Sequence, residues 1–339
     1  MSEATTTARD VRKLPKAHLH VHLESAVRWS TLAEIAAANG IAVPEHLRDG
    51  RYAFTGFTDF VDQNDLVRRC LTRPEDFRRV AVEFCADEAA QGTRYAEVSF
   101  TAAAHGERVG DLDMPLASVL DGLAEGGARH GIEWRVLLDH SRRRPVRRAW
   151  QTVDLARQYA DAGVVGVGLA GDESYPAEPF AEVFAVAAAS GLRVTHHAGE
   201  AAGADSIRAA LAAGAERLGH GIRALDDPEL AAELRDRGIA LEVCPSSNVA
   251  LGFAPSLAAH PLPRLRAAGL AVTVNTDIPS MIGVTTAEEY TRVRDTYGYT
   301  DADLADLART SVDASFAATP TKARIHAEID RWLANGHPA

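Results

Sequence analysis

Eight short runs rich in β-branched residues punctuate this 339-residue chain, each followed by a longer stretch of helical character. The runs lie at 17–23, 94–100, 132–138, 164–170, 192–197, 216–220, 239–244 and 270–276. Between them, segments such as PFAEVFAVAAASG and PELAAELRDRG stop on glycine, the residue that ends a helix most cheaply, and the second also begins on proline. A strand followed by a helix, repeated, implies parallel strands joined by right-handed crossovers. Eight such units predict an α/β fold, a TIM-type (β/α)8 barrel with the helices outside. An open doubly wound sheet is the competing arrangement, but no G-x-G-x-x-G follows the first run. The expected organisation is a loosely held tail over 1–13 and one barrel domain over 14–339, with a helical insert at about 24–93. That insert contains FTGFTDF, either a cap over the barrel mouth or an ordinary packed helix and loop.

Charge and cysteine usage narrow the function classes. A net charge of −11 and no basic tract longer than SRRRPVRR argue against nucleic-acid binding. No run of 18 apolar residues suggests a membrane span, and MSEATTTARD lacks the pattern of a secretory signal. Cys70, Cys85 and Cys244 are far apart and form no CxxC pair, so neither a disulfide framework nor a thiolate metal site is expected. A reducing, cytoplasmic setting and a small-molecule substrate fit this profile. The oligomeric state is left open.

Polar residues gather where the predicted strands end. HLHVHLES places His18, His20 and His22 on alternate positions of the first run, which predicts one shared strand face. His196 and His197 end the fifth run, His220 ends the sixth, and Asp277 follows the eighth. These positions ring the C-terminal mouth of a barrel, where barrel enzymes carry their chemistry. Imidazole nitrogens with a carboxylate suit a borderline divalent cation, zinc above all, at one ion per chain. Residues two apart on a strand are separated by about 6.6 Å, so at most two of the three first-strand histidines can reach one ion. The mouth selects His20 and His22 and leaves His18 a structural role. His197 supplies a third nitrogen and Asp277 an oxygen. Such a site leaves room for water and suits hydrolysis. Glu200, three residues beyond His197 in HHAGE, is a candidate for proton transfer, and His220 in LGHG is flanked by glycines that allow close approach.

KAHLHVHLE, LAGDES, HAGE, LGHG, EVCPSSN and NTD occur in this order, and from about Leu14 to the C-terminal helices the chain resembles the adenosine deaminase family of the amidohydrolase superfamily. The resemblance implies zinc-dependent addition of water to a 6-aminopurine with loss of ammonia. It makes His20, His22, His197 and Asp277 the metal ligands and Glu200 the proton donor to the ring nitrogen. His220 and Asp277 would position the water and accept its proton, and Gly171 would contact the purine through its backbone. Two departures concern the substrate. The family usually reads NTDDP where this chain has NTDIP, so Ile278 replaces a carboxyl group that bonds the imidazole side of the purine. Glu24-Ser25 stands where nucleoside-type relatives carry Asp-Gly, so Glu24 is expected to hold a sugar hydroxyl at a shifted distance. The implied substrate is adenosine or a related 6-aminopurine nucleoside, including a 7-deaza form that makes no use of the missing carboxyl. Free adenine or a modified nucleoside such as a menaquinone-pathway adenosyl derivative is open to the same chemistry. The competing classes are a metal hydrolase of the same barrel acting on an amide, ester or lactone, and a relative that only binds a ligand.

Overall fold

Strands buried on both faces read as near-continuous apolar runs rather than alternating ones, and VVGVGLA is the plainest example here. In the computed structural model, which describes residues 9–334 apart from 48, 49 and 51, all eight expected strands form. They are β1 (Lys16–His22), β2 (Thr93–Phe100), β3 (Glu133–Ser141), β4 (Val164–Ala170), β5 (Arg193–Ala198), β6 (Arg217–His220), β7 (Ala240–Val243) and β8 (Val272–Val274). They pair in sequence order, every pair parallel, as a (β/α)8 barrel requires.

The barrel closes differently from the way its other strands pair. Between β8 and β1 there is a single parallel bridge, Val21 with Asp277, in which His22 N donates to Asp277 O at 2.9 Å and Asp277 N to His20 O at 3.0 Å. Below it, the side chain of Asn275 replaces backbone: its Oδ1 accepts from both Leu19 N (2.9 Å) and His20 N (3.2 Å). The β1–β2 register slips over the same stretch, between His18 and Val21. This irregularity corrects the expectation of one shared face. His18 turns to the helical layer, where Nδ1 lies 3.0 Å from Glu88 and Nε2 accepts from Thr276 N at 3.2 Å. His20 and His22 turn to the barrel centre.

Two apolar clusters fill the layer between strands and helices, one around β2 to β4 and one around β6 to β8. Helix starts are fixed by local chemistry: Asp227 accepts from Glu229 N and Leu230 N ahead of Pro228–Asp236, and Thr285 and Glu288 form a reciprocal capping box. The insert holds the helices Trp29–Ala38, Phe57–Cys70 and Pro74–Ala90. The expected tail divides. Residues 1–8 lie outside the described residues, whereas Val11 is buried and Arg9 donates to Leu333 O at 2.7 Å, so residues 9–13 are held against the C-terminal helix Thr319–Ala334. The three cysteines are buried and unpaired with one another. No described helix is long and apolar enough to cross a membrane.

Candidate metal centre and acid–base site

His20, His22 and His197 bring one ring nitrogen each within 4.8 Å of one another, and Glu200, His220 and Asp277 form a second such group. Asp277 joins the two: its Oδ1 lies 3.3 Å from His22 Nε2 and 3.6 Å from His20 Nε2. His22 Nε2 and His197 Nε2 are 3.2 Å apart.

The other ring nitrogens decide what these Nε2 atoms can do. His20 Nδ1 faces the Glu242 carboxylate at 2.8 Å, His22 Nδ1 faces Asp139 at 3.2 Å, and His197 Nδ1 faces the Leu169 carbonyl at 3.2 Å. All three partners only accept, so each ring carries a proton on Nδ1 and leaves Nε2, turned inward, as the atom that could ligate a cation. His20 Nε2 is buried with no hydrogen-bond partner among the described residues. Four ligands at about 2.1 Å from a tetrahedral cation stand about 3.4 Å apart, which matches the spacings of 3.2 to 3.6 Å. The electrostatics agree. Burial opposes a charge on His20, but Asp277 and Glu242 overcome it and lift the pKa to about 10, so the centre draws positive charge to the point a cation would occupy. His197, buried and facing His20, is held neutral with its pKa pushed down to about 3. The donor set therefore fits a divalent cation.

Local backbone aims these side chains. His220 (φ 64°) and Asp277 (φ 63°) are the two non-glycine residues with left-handed φ among those described. Each such conformation costs on the order of 1–3 kcal/mol and persists only where the surroundings impose it. Ser247 donates to Asp277 Oδ2 at 2.6 Å. Gly219 leaves the space the His20 ring needs: a Cβ there would stand 2.8 Å from His20 Cε1. Arg142, buried, donates to His197 O at 2.6 Å.

Glu200 sits on the turn after β5, and that turn is held by Glu173. The Glu173 carboxylate accepts from Gly199 N, Glu200 N and Ala201 N, each at 2.8 Å, and from Ser206 Oγ at 2.5 Å. Burial, then the charges of Asp277 and Glu173, raise the Glu200 pKa well above the usual carboxylate range. Burial and the facing His20 push that of His220 well down. A neutral carboxylic acid and a neutral imidazole thus stand beside an ionised Asp277.

A cavity opens over these groups, with Gly171, Asp139, Arg68, Phe57, Phe60 and Leu251 on its wall. Gly171 has φ 92° and presents bare backbone to it. FTGFTDF therefore contributes directly, through Phe57 and Phe60. Glu24 and Ile278 do not line the cavity. Glu24 is buried with Oε1 accepting from Thr101 N (3.0 Å), Thr101 Oγ1 (2.5 Å) and His105 Nε2 (3.2 Å), because the chain turns to a 3-10 helix right after β1. Ile278 packs with Phe60, Leu251 and Met281, backing the wall rather than forming it. His196 faces outward against Phe184, as strand alternation beside the inward His197 demands.

Asp139, Glu242, Glu173 and Asn248 escape a reading that looks only at strand ends. Asp139 falls one residue beyond the expected third strand, which runs on to Ser141. Glu242 had a signal, an acid inside the buried strand IALEVC, where an unpaired charge is not tolerated.

The sequence profile of the adenosine deaminase family matches residues 15–332. The chain belongs to the adenosine deaminase family. It is 38% identical to a putative adenosine/adenine deaminase of Streptomyces coelicolor, over 96% of this chain and 98% of that one. Among solved structures it is similar to an adenine deaminase from Arthrobacter aurescens, with a TM-score of 0.90 and 31% identity over 95% of this chain and 99% of the other. An amidohydrolase from Burkholderia ambifaria with bound Zn gives a TM-score of 0.87 and 28% identity over 99% and 97%. This adenosine deaminase family member is thus a hydrolase, a hydrolytic deaminase of the adenosine/adenine type.

Proposed function

We propose that the chain is a zinc-dependent deaminase of 6-aminopurines, releasing ammonia, with one ion per chain held by His20, His22, His197 and Asp277. The observation that carries this reading is the convergence of three inward Nε2 atoms, two of them against Asp277 and the third against His22, beside a carboxylic acid kept neutral. A zinc ion held by these residues would supply Lewis acidity towards water. The remaining steps belong to the side chains. Glu200, neutral and buried, gives its proton to the ring nitrogen beside the attacked carbon, so that the carbon accepts the C–O bond without charge building on the ring. His220 orients the attacking oxygen. Asp277, ionised, takes up the proton the water gives away, which then serves the departing amine as the C–N bond breaks, and the hydroxyl proton released as the carbonyl forms restores the acid form of Glu200. Gly171 offers its backbone to the purine.

Within this class the free base is favoured over the unmodified ribonucleoside. The carboxylate expected to hold a sugar hydroxyl, Glu24, is engaged by Thr101 and His105, and the similar structure from Arthrobacter aurescens is an adenine deaminase. A second substrate type has its own observation: Arg68 and Arg143 both line the cavity, which suits a nucleoside carrying an anionic substituent. Ammonia release from adenine, adenosine, 7-deazaadenosine and 5′-carboxylated or phosphorylated adenosine tests the reading. Glu200→Gln should keep its metal and lose most turnover. Near-normal activity in that variant, or no release from any of these compounds by zinc-loaded protein, overturns it.

A further inference from the structure

EVCPSSN ends on an asparagine to which the chemistry above gives no task. Asn248 is fully buried in the helix Pro245–Ala250, and the chain after that helix folds back on it: Phe253 N and Ala254 N both donate to Asn248 O, at 2.8 and 2.9 Å. The return brings His260, also buried, against the Asn248 side chain.

Proton positions can be assigned outward from one fixed donor. Leu262 N–H donates to His260 Nδ1 at 3.1 Å, so that nitrogen holds a lone pair and no proton. Burial keeps the ring neutral, with its pKa pushed down to about 4, and its single proton therefore sits on Nε2. Nε2 lies 3.1 Å from Asn248 Oδ1. That N–H turns the amide oxygen towards His260 and the amide NH2 towards the acid–base site, where it meets Glu200 Oε1 at 2.9 Å and His220 Nδ1 at 3.2 Å.

Resting on the deaminase reading, we infer that His260 and Asn248 are a positioning relay that decides which atoms of Glu200 and His220 carry protons. With Oε1 occupied as an acceptor, Oε2 is the Glu200 oxygen left to carry a proton and donate it. With Nδ1 occupied as an acceptor, Nε2 is the His220 nitrogen left to carry a proton and donate. Neither relay residue lines the cavity. Their effect is on the rate of proton transfer rather than on substrate or metal binding.

The test uses zinc-loaded protein and a 6-aminopurine that the wild type turns over. His260→Leu and Asn248→Ala should lower kcat by about 10- to 100-fold, as loss of an orienting partner typically does, with KM within about threefold and full metal content. His260→Gln retains a side-chain N–H for Asn248 Oδ1 and should recover most of the loss. Wild-type kcat in His260→Leu, or a His260→Gln variant as slow as His260→Leu, overturns the relay and leaves a structural role. Imidazole 15N–1H correlation spectra read the same claim without turnover: His260 and His220 should both be protonated on Nε2, and His220 should become a tautomer mixture in His260→Leu. A His260 protonated on Nδ1 refutes the relay whatever the activity, whereas correct tautomers with no ammonia release place the failure in the functional reading.

Discussion

Replacing Glu242 by glutamine keeps the shape of a buried side chain and changes one thing, which end of it can accept. Glu242 Oε2 takes the His20 Nδ1 proton at 2.8 Å, while Oε1 takes Arg217 Nε at 2.6 Å. Arg217 is itself buried, ion-paired on its far side with Glu97, and cannot give up its proton. The glutamine oxygen must therefore face Arg217, and the amide NH2 must face His20. His20 Nδ1 then has to accept, its proton moves to Nε2, and the nitrogen that should bind the cation is capped by hydrogen. Loss of an orienting partner of this kind costs about 10- to 100-fold in metal affinity, or about 1.4–2.7 kcal/mol. The weakened Arg217 pairing adds a folding penalty of about 1–3 kcal/mol. Competition against a chelator of known affinity measures the first quantity, and urea unfolding of the metal-free protein the second. Asp139→Asn supplies the contrast. Asp139 faces His22 Nδ1 and, among the described residues, pairs with no arginine through its other oxygen, so asparagine can still turn its own oxygen to the ring, and the loss should stay below about tenfold. Metal affinity within twofold of wild type in Glu242→Gln, or a larger loss in Asp139→Asn, would refute the tautomer argument.

Three further outcomes follow from packing and linkage. Gly219→Ala would set a Cβ 2.8 Å from His20 Cε1 and 3.2 Å from His197 Cα, so bound metal should fall in parallel with activity, at an overpacking cost of about 1–3 kcal/mol visible in the melting temperature. His140 and His196 are held neutral by burial, with pKa values pushed down to about 4 and about 3. The unfolded chain binds protons at these sites from about pH 6.5 downwards and the folded chain does not, so stability should be full above pH 6.5 and fall as pH drops towards 4, by up to about 3 kcal/mol per group. Urea midpoints across that range measure it, and the slope should flatten in His140→Gln. Glu289 runs the other way: burial, against the Ser246 N–H, raises its pKa to about 7, so the folded state holds a proton the unfolded state has lost. Its contribution is present below about pH 4.5 and lost as pH rises through 7, and Glu289→Gln should match or exceed wild type at pH 8 in the same measurement.

The alternation of β-branched runs and helices was enough to read the barrel, because each strand is buried on both faces and each helix on one. The convergence of His20, His22, His197 and Asp277 was legible for the same reason: in this architecture strand ends point to one place. What surrounds them was not. Glu173 reaches the Glu200 turn from the loop after β4, and Glu242 reaches His20 from β7 across the barrel, contacts made at separations of 27 and 222 residues. Hydrogen-bond partners chosen by three-dimensional proximity leave no period in a sequence. Glu24 and Ile278 show the converse. Their motif positions drew attention to the substrate, and in the structure burial sets their partners: Thr101 and His105 for the Glu24 carboxylate and the Phe60 cluster for Ile278.

His18 is the instructive failure, because period-two logic placed it with His20 and His22. The slip that overturns this lies at the seam where the barrel closes, and Asn275 holds it by taking two successive backbone donors on one oxygen. A regular ladder between β1 and β8 would leave no place for that doubled contact. The irregularity turns His18 outward to Glu88 and brings His20 inward, and two residues later the same closing segment reaches Asp277 in its left-handed conformation. Bulges and strained φ angles gather where a strand must re-aim a side chain. Here the seam sets His20 Nε2 and His22 Nε2, two side chains of one strand, 3.6 and 3.3 Å from a single oxygen of Asp277 on the segment that closes against it.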